Sequence, residues 1–171
     1  MATSHSTHFY NEHAQRLFEQ YQSLEFERVH GEWLHHLPEQ ASLVLDIGAG
    51  SGRDARAMAQ RGWQVVAVEP ADKLRALGQT ATAGLDVSWL EDTLPSLNSV
   101  RQLSQRFQLI LVSAVWMHLP GEDQQRALRI LSSLLAPGGH LVMTFREGPN
   151  NDARQFHPVE MGVLDSWAQN L

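Results

Sequence analysis

Short apolar runs alternate with amphipathic stretches from about residue 43 to residue 146. Five of these runs predict β-strands, the first opening at residues 43–45 and the others spanning residues 63–68, 87–90, 107–112 and 141–145. The runs are almost continuously apolar, which is typical of strands covered on both faces. Since strands and helical stretches alternate, we predict an α/β fold, a doubly wound and mostly parallel sheet with helices on both faces.

The amphipathic stretches predict the helices that connect these strands. Apolar residues at Ala55, Met58 and Ala59 have helical spacing, and Gly62 is placed to end that helix. A Pro-Gly-Gly run at residues 137–139 predicts a break before the fifth strand. Other predicted helices span residues 72–79, 97–105, 123–135 and 158–171, and residues 9–37 are also predicted to be helical.

Composition narrows the class of protein. The chain has 171 residues, 43% of them hydrophobic and 19% charged, as expected for one globular domain. Its net charge of −6 disfavours a nucleic-acid or anionic-membrane surface, which requires a basic field. The absence of cysteine excludes disulfides, thiolate metal ligands and thiol nucleophiles. With no apolar run of membrane-spanning length and no signal-peptide pattern, we expect a cytoplasmic protein.

The most informative segment is the glycine-rich turn after the first strand, in which Asp46, Gly48, Gly50 and Gly52 follow the pattern D-x-G-x-G-x-G. Glycines at such a turn let a ligand approach the backbone closely. The dinucleotide fingerprint G-x-G-x-x-G fails because Arg53 stands where its third glycine is required. A carboxylate ahead of the turn disfavours a pyrophosphate and suits a ligand with an ammonium group. The pattern therefore favours an amino-acid-bearing nucleoside over a nicotinamide cofactor, and a tight turn without a ligand is the alternative.

Two acidic positions follow the next two strands. Glu69 lies 21 residues after Gly48, where nucleotide-binding βαβ units place a carboxylate that accepts hydrogen bonds from ribose hydroxyls. Asp92 follows the third strand and is placed to accept a hydrogen bond from an adenine amino group, with Glu91 as the competing residue. Both positions agree with a bound nucleoside.

These segments together resemble class I S-adenosylmethionine-dependent methyltransferases, which have a Rossmann-like core. Residues 44–54 resemble the first motif of that superfamily, residues 65–70 the second and residues 91–95 the adenine loop, while residues 107–119 and 135–141 resemble the regions around the fourth and fifth strands. The resemblance implies S-adenosylmethionine as cofactor, S-adenosylhomocysteine as product and a small-molecule acceptor. A protein or RNA methyltransferase, or a catalytically silent cofactor-binding domain, is the alternative.

The resemblance also implies roles for individual residues. Asp46 would face the methionyl ammonium, Glu69 would hold the ribose hydroxyls, and Ser113 would touch the methionyl group. Residues 1–40 would form a helical lid over the methyltransferase core at residues 41–171. The predicted cofactor site comprises Tyr10, Tyr21, Asp46, Gly48, Ala49, Gly50, Ser51, Gly52, Glu69, Pro70, Asp92, Thr93 and Ser113.

His118 is the candidate catalytic residue, as a base or as a group that orients the acceptor. It follows the fourth strand at the carboxyl edge, where doubly wound sheets bind ligands, although a structural role at a helix start is the alternative. Arg53 and Arg146 are candidates to pair with a cofactor carboxylate or an acidic substrate. The histidines lack metal-ligand spacing, so no metal is expected.

The number of strands adds one further expectation. The superfamily sheet normally has seven strands, of which the last two form an antiparallel hairpin. The present 171 residues supply five predicted strands. The resemblance therefore predicts that the C-terminal strand pair is missing from this chain.

Overall fold

Five parallel strands form one sheet in the order β3-β2-β1-β4-β5 within residues 2–145 and 154–171, which the computed structural model describes. The predicted doubly wound sheet is confirmed, and Arg146 lies outside the described residues. Because the chain runs outward from β1 to β3 and then returns to β4 on the other side, β1 and β4 are neighbours at a topological switch point. The strands are β1 (Leu43–Ile47), β2 (Gln64–Val68), β3 (Val87–Leu90), β4 (Phe107–Ser113) and β5 (Leu135–Thr144).

Helices lie between the strands at the predicted places and also precede and follow the sheet. The predicted helical segment at the N-terminus consists of three separate helices and a short 3-10 turn at Leu34–His36. None of the helices in the described ranges is both long and apolar enough to cross a membrane. The helices are α1 (Ala2–Glu12), α2 (Ala14–Gln22), α3 (Phe26–His30), α4 (Arg53–Gln60), α5 (Asp72–Ala81), α6 (Asn98–Gln102), α7 (Gly121–Leu134) and α8 (Met161–Ala168).

The start of the fifth strand was wrongly predicted. Instead of beginning after the Pro-Gly-Gly run, β5 begins directly at the end of α7, where Leu135 pairs with Phe107. Pairing then resumes between His140 and Leu109, so the residues between form a bulge with a register shift. Gly138 has φ +73° within this bulge. The Pro-Gly-Gly run, which predicted the end of a helix, therefore lies within β5 and forms its bulge.

Two apolar layers cover the two faces of the sheet. Successive strand residues point to opposite faces, so Leu45 packs in one layer and Val44 in the other. The first layer includes Leu131 of α7 and Leu164 of α8, and the second includes Met58 of α4. Burial on both faces explains why the strand sequences are continuously apolar.

The packing of α5 against β3 leaves no room for a side chain at Gly78. A Cβ at this position would come within 2.4 Å of the indole ring of Trp89. We expect Gly78→Ala to destabilise the protein by about 1–3 kcal/mol, because overpacking outweighs the better helix propensity of alanine. Urea unfolding followed by circular dichroism measures this. Gly121→Ala is the control, since nothing lies within 4 Å of a Cβ at Gly121; equal stabilities of the two variants would contradict the packing.

Candidate functional site

A cavity of about 600 Å³ lies at the carboxyl ends of the strands. Gly48 follows β1, Glu69 follows β2, Asp92 follows β3 and Ser113 ends β4, and all four line the cavity. This edge of an open α/β sheet, at the switch point between β1 and β4, is the usual place for a ligand. The volume lies within the range of small-molecule sites.

Most of the predicted site residues line this cavity, whereas Asp46 and Gly52 do not. Arg53, a further candidate, also lines it. The predicted cofactor and catalytic residues on the cavity wall are Tyr10, Tyr21, Gly48, Ala49, Gly50, Ser51, Glu69, Pro70, Asp92, Thr93, Ser113 and His118.

The glycine loop, which we define as residues 48–52, turns directly from β1 into α4. Gly48 and Gly50 have φ of +68° and +56°, in the left-handed region that favours glycine. A Cβ at Gly48 would also lie 2.2 Å from Cγ2 of Val115, so the turn and the loop after β4 approach each other too closely for any side chain. These constraints leave the backbone of the loop on the cavity wall.

Glu69 holds the glycine loop in place from the end of β2. Its Oε2 accepts a hydrogen bond from the Gly50 amide at 3.0 Å, and its Oε1 accepts one from the Ala71 amide at 2.9 Å. Burial raises the pKa of the Glu69 carboxyl to about 7, although these two backbone hydrogen bonds oppose the shift. A carboxylate oxygen can accept more than one hydrogen bond, so Glu69 can also accept a hydrogen bond from a ligand in the cavity.

Asp92, and not Glu91, is the acidic residue that the loop after β3 places on the cavity wall. Its two oxygens accept hydrogen bonds from the amides of Thr93 at 2.8 Å and Val100 at 3.0 Å, which join the loop to the start of α6. The side chain of Glu91 is 73% exposed and pairs with Arg75. The structure therefore favours Asp92 over its sequence competitor.

Asp46 lies beneath the glycine loop and is only 1% exposed. Burial and the nearby charge of Asp54 raise the pKa of the Asp46 carboxyl well above its usual value. A hydrogen bond from the Ala55 amide in α4 acts in the opposite direction and lowers that pKa. The contact of Asp46 with a ligand ammonium group stays a prediction. Gly52 does not line the cavity either. A Cβ at this position would lie 3.0 Å from the Trp89 ring, so Gly52 serves the packing of that ring.

Sequence reasoning missed a buried network that joins α3 to the first turn of α4, directly after the glycine loop. His30 is fully buried, and its Nε2 lies 2.8 Å from Oδ2 of Asp54. The indole N–H of Trp33 donates to Nδ1 of His30 at 3.2 Å, and Arg53 donates to Oδ1 of Asp54 at 2.7 Å. Because an indole N–H can only donate, Nδ1 accepts, and the neutral His30 ring donates from Nε2 to Asp54.

The same network sets the charge of Asp54. Burial would raise the pKa of the Asp54 carboxyl, but hydrogen bonds from His30 and Arg53 hold it below its usual value. Asp54 therefore stays ionised on the cavity wall. No local sequence signal marks the pair, since His30 and Asp54 are 24 residues apart and follow no recognised motif.

The N-terminal helices α1 and α2 form part of the cavity wall. Tyr10 of α1 and Tyr21 of α2 line it, and both helices pack against α5. Gln22, at the end of α2, donates to the Ser51 backbone oxygen at 2.9 Å. The helices α1 and α2 therefore join the rest of the chain at the cavity, and their role as a lid stays a prediction.

His118 lies at the end of the cavity nearest α1 and is 8% exposed. Its Nε2 lies 3.2 Å from the Tyr10 hydroxyl, and its Nδ1 lies 3.3 Å from the Gln155 carbonyl and 3.4 Å from the Ser6 hydroxyl. A carbonyl oxygen only accepts, so the contact with Gln155 favours a proton on Nδ1 and a lone pair on Nε2, facing the Tyr10 hydroxyl.

Arg154 is a cavity residue that the sequence reasoning did not find. It donates a hydrogen bond to the Tyr10 hydroxyl at 3.4 Å. Its guanidinium lies 5.4 Å from the ring centroids of Phe9 and Phe156 and 5.9 Å from that of Tyr10.

Across residues 2–145 and 154–171, no three histidine or acidic side chains cluster as metal ligands would.

Comparisons with known proteins point to one family. A family model described as a methyltransferase domain matches residues 10–169. An uncharacterized methyltransferase of Mycobacterium bovis is 30% identical over 117 residues, covering 67% of this chain and 43% of that protein. A ubiquinone biosynthesis O-methyltransferase of Serratia proteamaculans is 30% identical over 103 residues, covering 59% of this chain and 41% of that protein. The chain thus spans less than half the length of these two curated relatives.

Solved structures agree on the fold. The crystal structure of the glycopeptide N-methyltransferase MtfA complexed with S-adenosylmethionine matches with a TM-score of 0.56 at 20% sequence identity. The match covers 66% of this chain and 51% of the other. It shows that the two proteins share the architecture of the core.

Substitution of His30 tests how much its buried hydrogen bonds stabilise the protein. We expect His30→Ala to destabilise the protein by about 2–4 kcal/mol, because it removes a buried ring and leaves a buried carboxylate oxygen and a half-buried indole N–H without partners. The matched control is His8→Ala, which removes an exposed histidine–carboxylate pair with Glu12 and should leave stability unchanged. Thermal and urea unfolding measure both. Equal effects of the two substitutions would show that the buried network contributes nothing.

Proposed function

This chain belongs to the methyltransferase domain family, and we propose that it transfers the methyl group of S-adenosylmethionine to a small-molecule acceptor. The observation that supports this is one cavity lined by two chemically different groups of residues. One group is the glycine loop with Glu69 and Asp92, and the other is Tyr10, His118 and Arg154. A transferase requires such a pair of subsites, because the donor and the acceptor must be held side by side.

The glycine loop, Glu69 and Asp92 are residues of the types that this cofactor requires. The left-handed glycines leave the loop backbone open to a ligand, and the carboxylate of Glu69, which lines the cavity, would accept hydrogen bonds from two ribose hydroxyls. Asp92 and Thr93 would border the adenine, while Gly48 and Ser113 would border the methionyl group. When bound, S-adenosylmethionine supplies a methyl group activated by a sulfonium. The protein's contribution is alignment, which can supply roughly 7–11 kcal/mol.

In the second group of residues, His118 would act as the base. An acceptor hydroxyl or ammonium must lose a proton when it takes up a methyl group. With the proton on Nδ1, the Nε2 lone pair of His118 is directed to the Tyr10 hydroxyl, which a substrate hydroxyl could replace or use as a relay. The cavity volume of about 600 Å³ and its wall of Tyr10, Tyr21 and Phe156 favour a small acceptor over a macromolecule.

Glu69 provides the test of cofactor binding. We expect Glu69→Gln to weaken S-adenosylhomocysteine binding by about 1–3 kcal/mol, because a hydroxyl donor loses a charged acceptor. In the native protein the affinity should fall as the pH drops below about 7, where Glu69 takes up a proton, and should level off above it. The variant should lack that slope. Isothermal titration calorimetry between pH 5.5 and 8.5, a range chosen to bracket the transition, measures both effects.

The control for this experiment is Glu91→Gln. It removes an acidic side chain of the neighbouring loop that is exposed and outside the cavity, so the affinity should be unchanged. An unchanged affinity of Glu69→Gln would refute the ribose assignment, and binding of NADH without binding of S-adenosylhomocysteine would refute the cofactor.

His118 provides the test of catalysis. With a panel of small hydroxyl and amine acceptors, we expect His118→Gln to reduce the rate of methyl transfer by about 10²–10⁴ while S-adenosylhomocysteine affinity changes little. His140→Gln, on the exposed part of β5, should leave both unchanged. Release of S-adenosylhomocysteine measures turnover. Full activity of His118→Gln would eliminate the proposed base.

A further inference from the structure

Gln124, a buried residue of α7, does not line the cavity. It is only 3% exposed, and it begins the row of buried residues on α7 that continues with Ala127, Leu128 and Leu131. Packing alone would favour an apolar side chain at such a position. Because burying an amide is costly unless it is hydrogen-bonded, the partners of Gln124 indicate its role.

The amide of Gln124 joins two segments that are distant in sequence. Its Nε2 donates to the backbone oxygen of Leu119 at 2.9 Å and to that of Pro158 at 3.1 Å. An amide nitrogen carries two hydrogens, so both bonds can form at once. Leu119 directly follows His118, and Pro158 ends the 154–158 segment, which precedes α8. One side chain of a helix that packs in the core therefore holds these two segments together.

The segment that ends at Pro158 lies against His118 itself. The Gln155 carbonyl oxygen lies 3.3 Å from Nδ1 of His118, and the Phe156 ring centroid lies 5.2 Å from that of the imidazole. The contacts of Gln124 therefore decide which groups of this segment face the imidazole.

The partners of the imidazole differ in what they determine. The hydroxyls of Ser6 and Tyr10 lie 3.4 Å from Nδ1 and 3.2 Å from Nε2, and a hydroxyl can either donate or accept. The Gln155 carbonyl can only accept, so it favours the tautomer with the proton on Nδ1 and the lone pair on Nε2. The tautomer of His118 therefore depends on the position of the 154–158 segment.

We propose that Gln124 is a positioning residue for His118: by holding the 154–158 segment against the imidazole, it sets the tautomer and the orientation of the ring. This inference rests on the proposed function for the role of His118 as a base, but the tautomer can be measured without any turnover. If Gln124 only satisfied two backbone oxygens, its loss would lower stability and leave the imidazole unchanged. The two roles therefore differ in a spectroscopic signature.

The first test measures the tautomer directly. Long-range proton–nitrogen NMR of the labelled full chain distinguishes the two neutral forms of histidine, and His118→Gln assigns the signals of this ring by their loss. At about pH 8.5, where an ordinary histidine is neutral, we expect the native ring to carry its proton on Nδ1.

Substitutions of Gln124 should change that signature. Gln124→Met keeps the length of the side chain but removes both donors, so we expect a mixture of both tautomers. Gln124→Glu keeps the shape but places an acceptor opposite the two backbone oxygens, and it should have the same effect. The matched control is Gln125→Met at the neighbouring, half-buried position of α7, which should leave the ring as in the native protein. Circular dichroism checks that each variant is folded.

The second test determines whether Gln124 acts through His118. With an acceptor that the native chain methylates, Gln124→Met should lower the rate of methyl transfer by about 10–100-fold, as expected for a misplaced reacting group. In the His118→Gln background the same substitution should change the rate by less than about twofold, because no imidazole is left to position.

Three outcomes would overturn the inference. The first is a native ring with its proton on Nε2, a result that requires no variant of Gln124 to fold. The second is an unchanged tautomer in either folded variant of Gln124, and the third is an equal loss of rate in both backgrounds. Absence of methyl transfer by the native chain would instead refute the proposed function, and the tautomer would still decide whether Gln124 positions the ring.

Discussion

The hydrogen bond from the Gly50 amide to the buried carboxylate of Glu69 is the contact on which the site depends. Parallel pairing of β1 with β2 brings Ile47 level with Val68, so the glycine loop and Glu69 leave the sheet side by side. One carboxylate oxygen accepts the hydrogen bond from the loop, and the other accepts one from the Ala71 amide at the start of α5. One acidic residue thereby sets both the shape of the loop and the polarity of the cavity.

The N-terminal helices complete the site because polar contacts join them to the strand ends. Three links span long stretches of sequence: Gln22 to the glycine loop, His30 to Asp54, and Tyr10 to His118. In two of them the histidine is almost or fully buried, so separation of the helices would expose or orphan polar groups. Opening of this covering would therefore also loosen the support of the glycine loop.

Much of the fold follows from the sequence, but the site follows only in part. Continuous apolar runs identify buried parallel strands, and spacing along the chain identifies Glu69 and Asp92, because strand ends meet at one edge. The glycines of β5 were misleading because a bulge continues the pairing. Asp46 matches a motif, yet it is buried beside α4. The contacts of His30 and Arg154 join distant segments, and no local pattern encodes such contacts.

Three carboxyl groups lie close together around the glycine loop, and their environments separate their ionisation. Asp54 stays charged because His30 and Arg53 donate to it, and its charge together with burial raises the pKa of Asp46 well above its usual value. For Glu69, burial outweighs two backbone hydrogen bonds and leaves its pKa at about 7. Glu69 is thus a group whose charge changes near neutral pH. The residue that shapes the loop is therefore also one through which pH acts on the cavity.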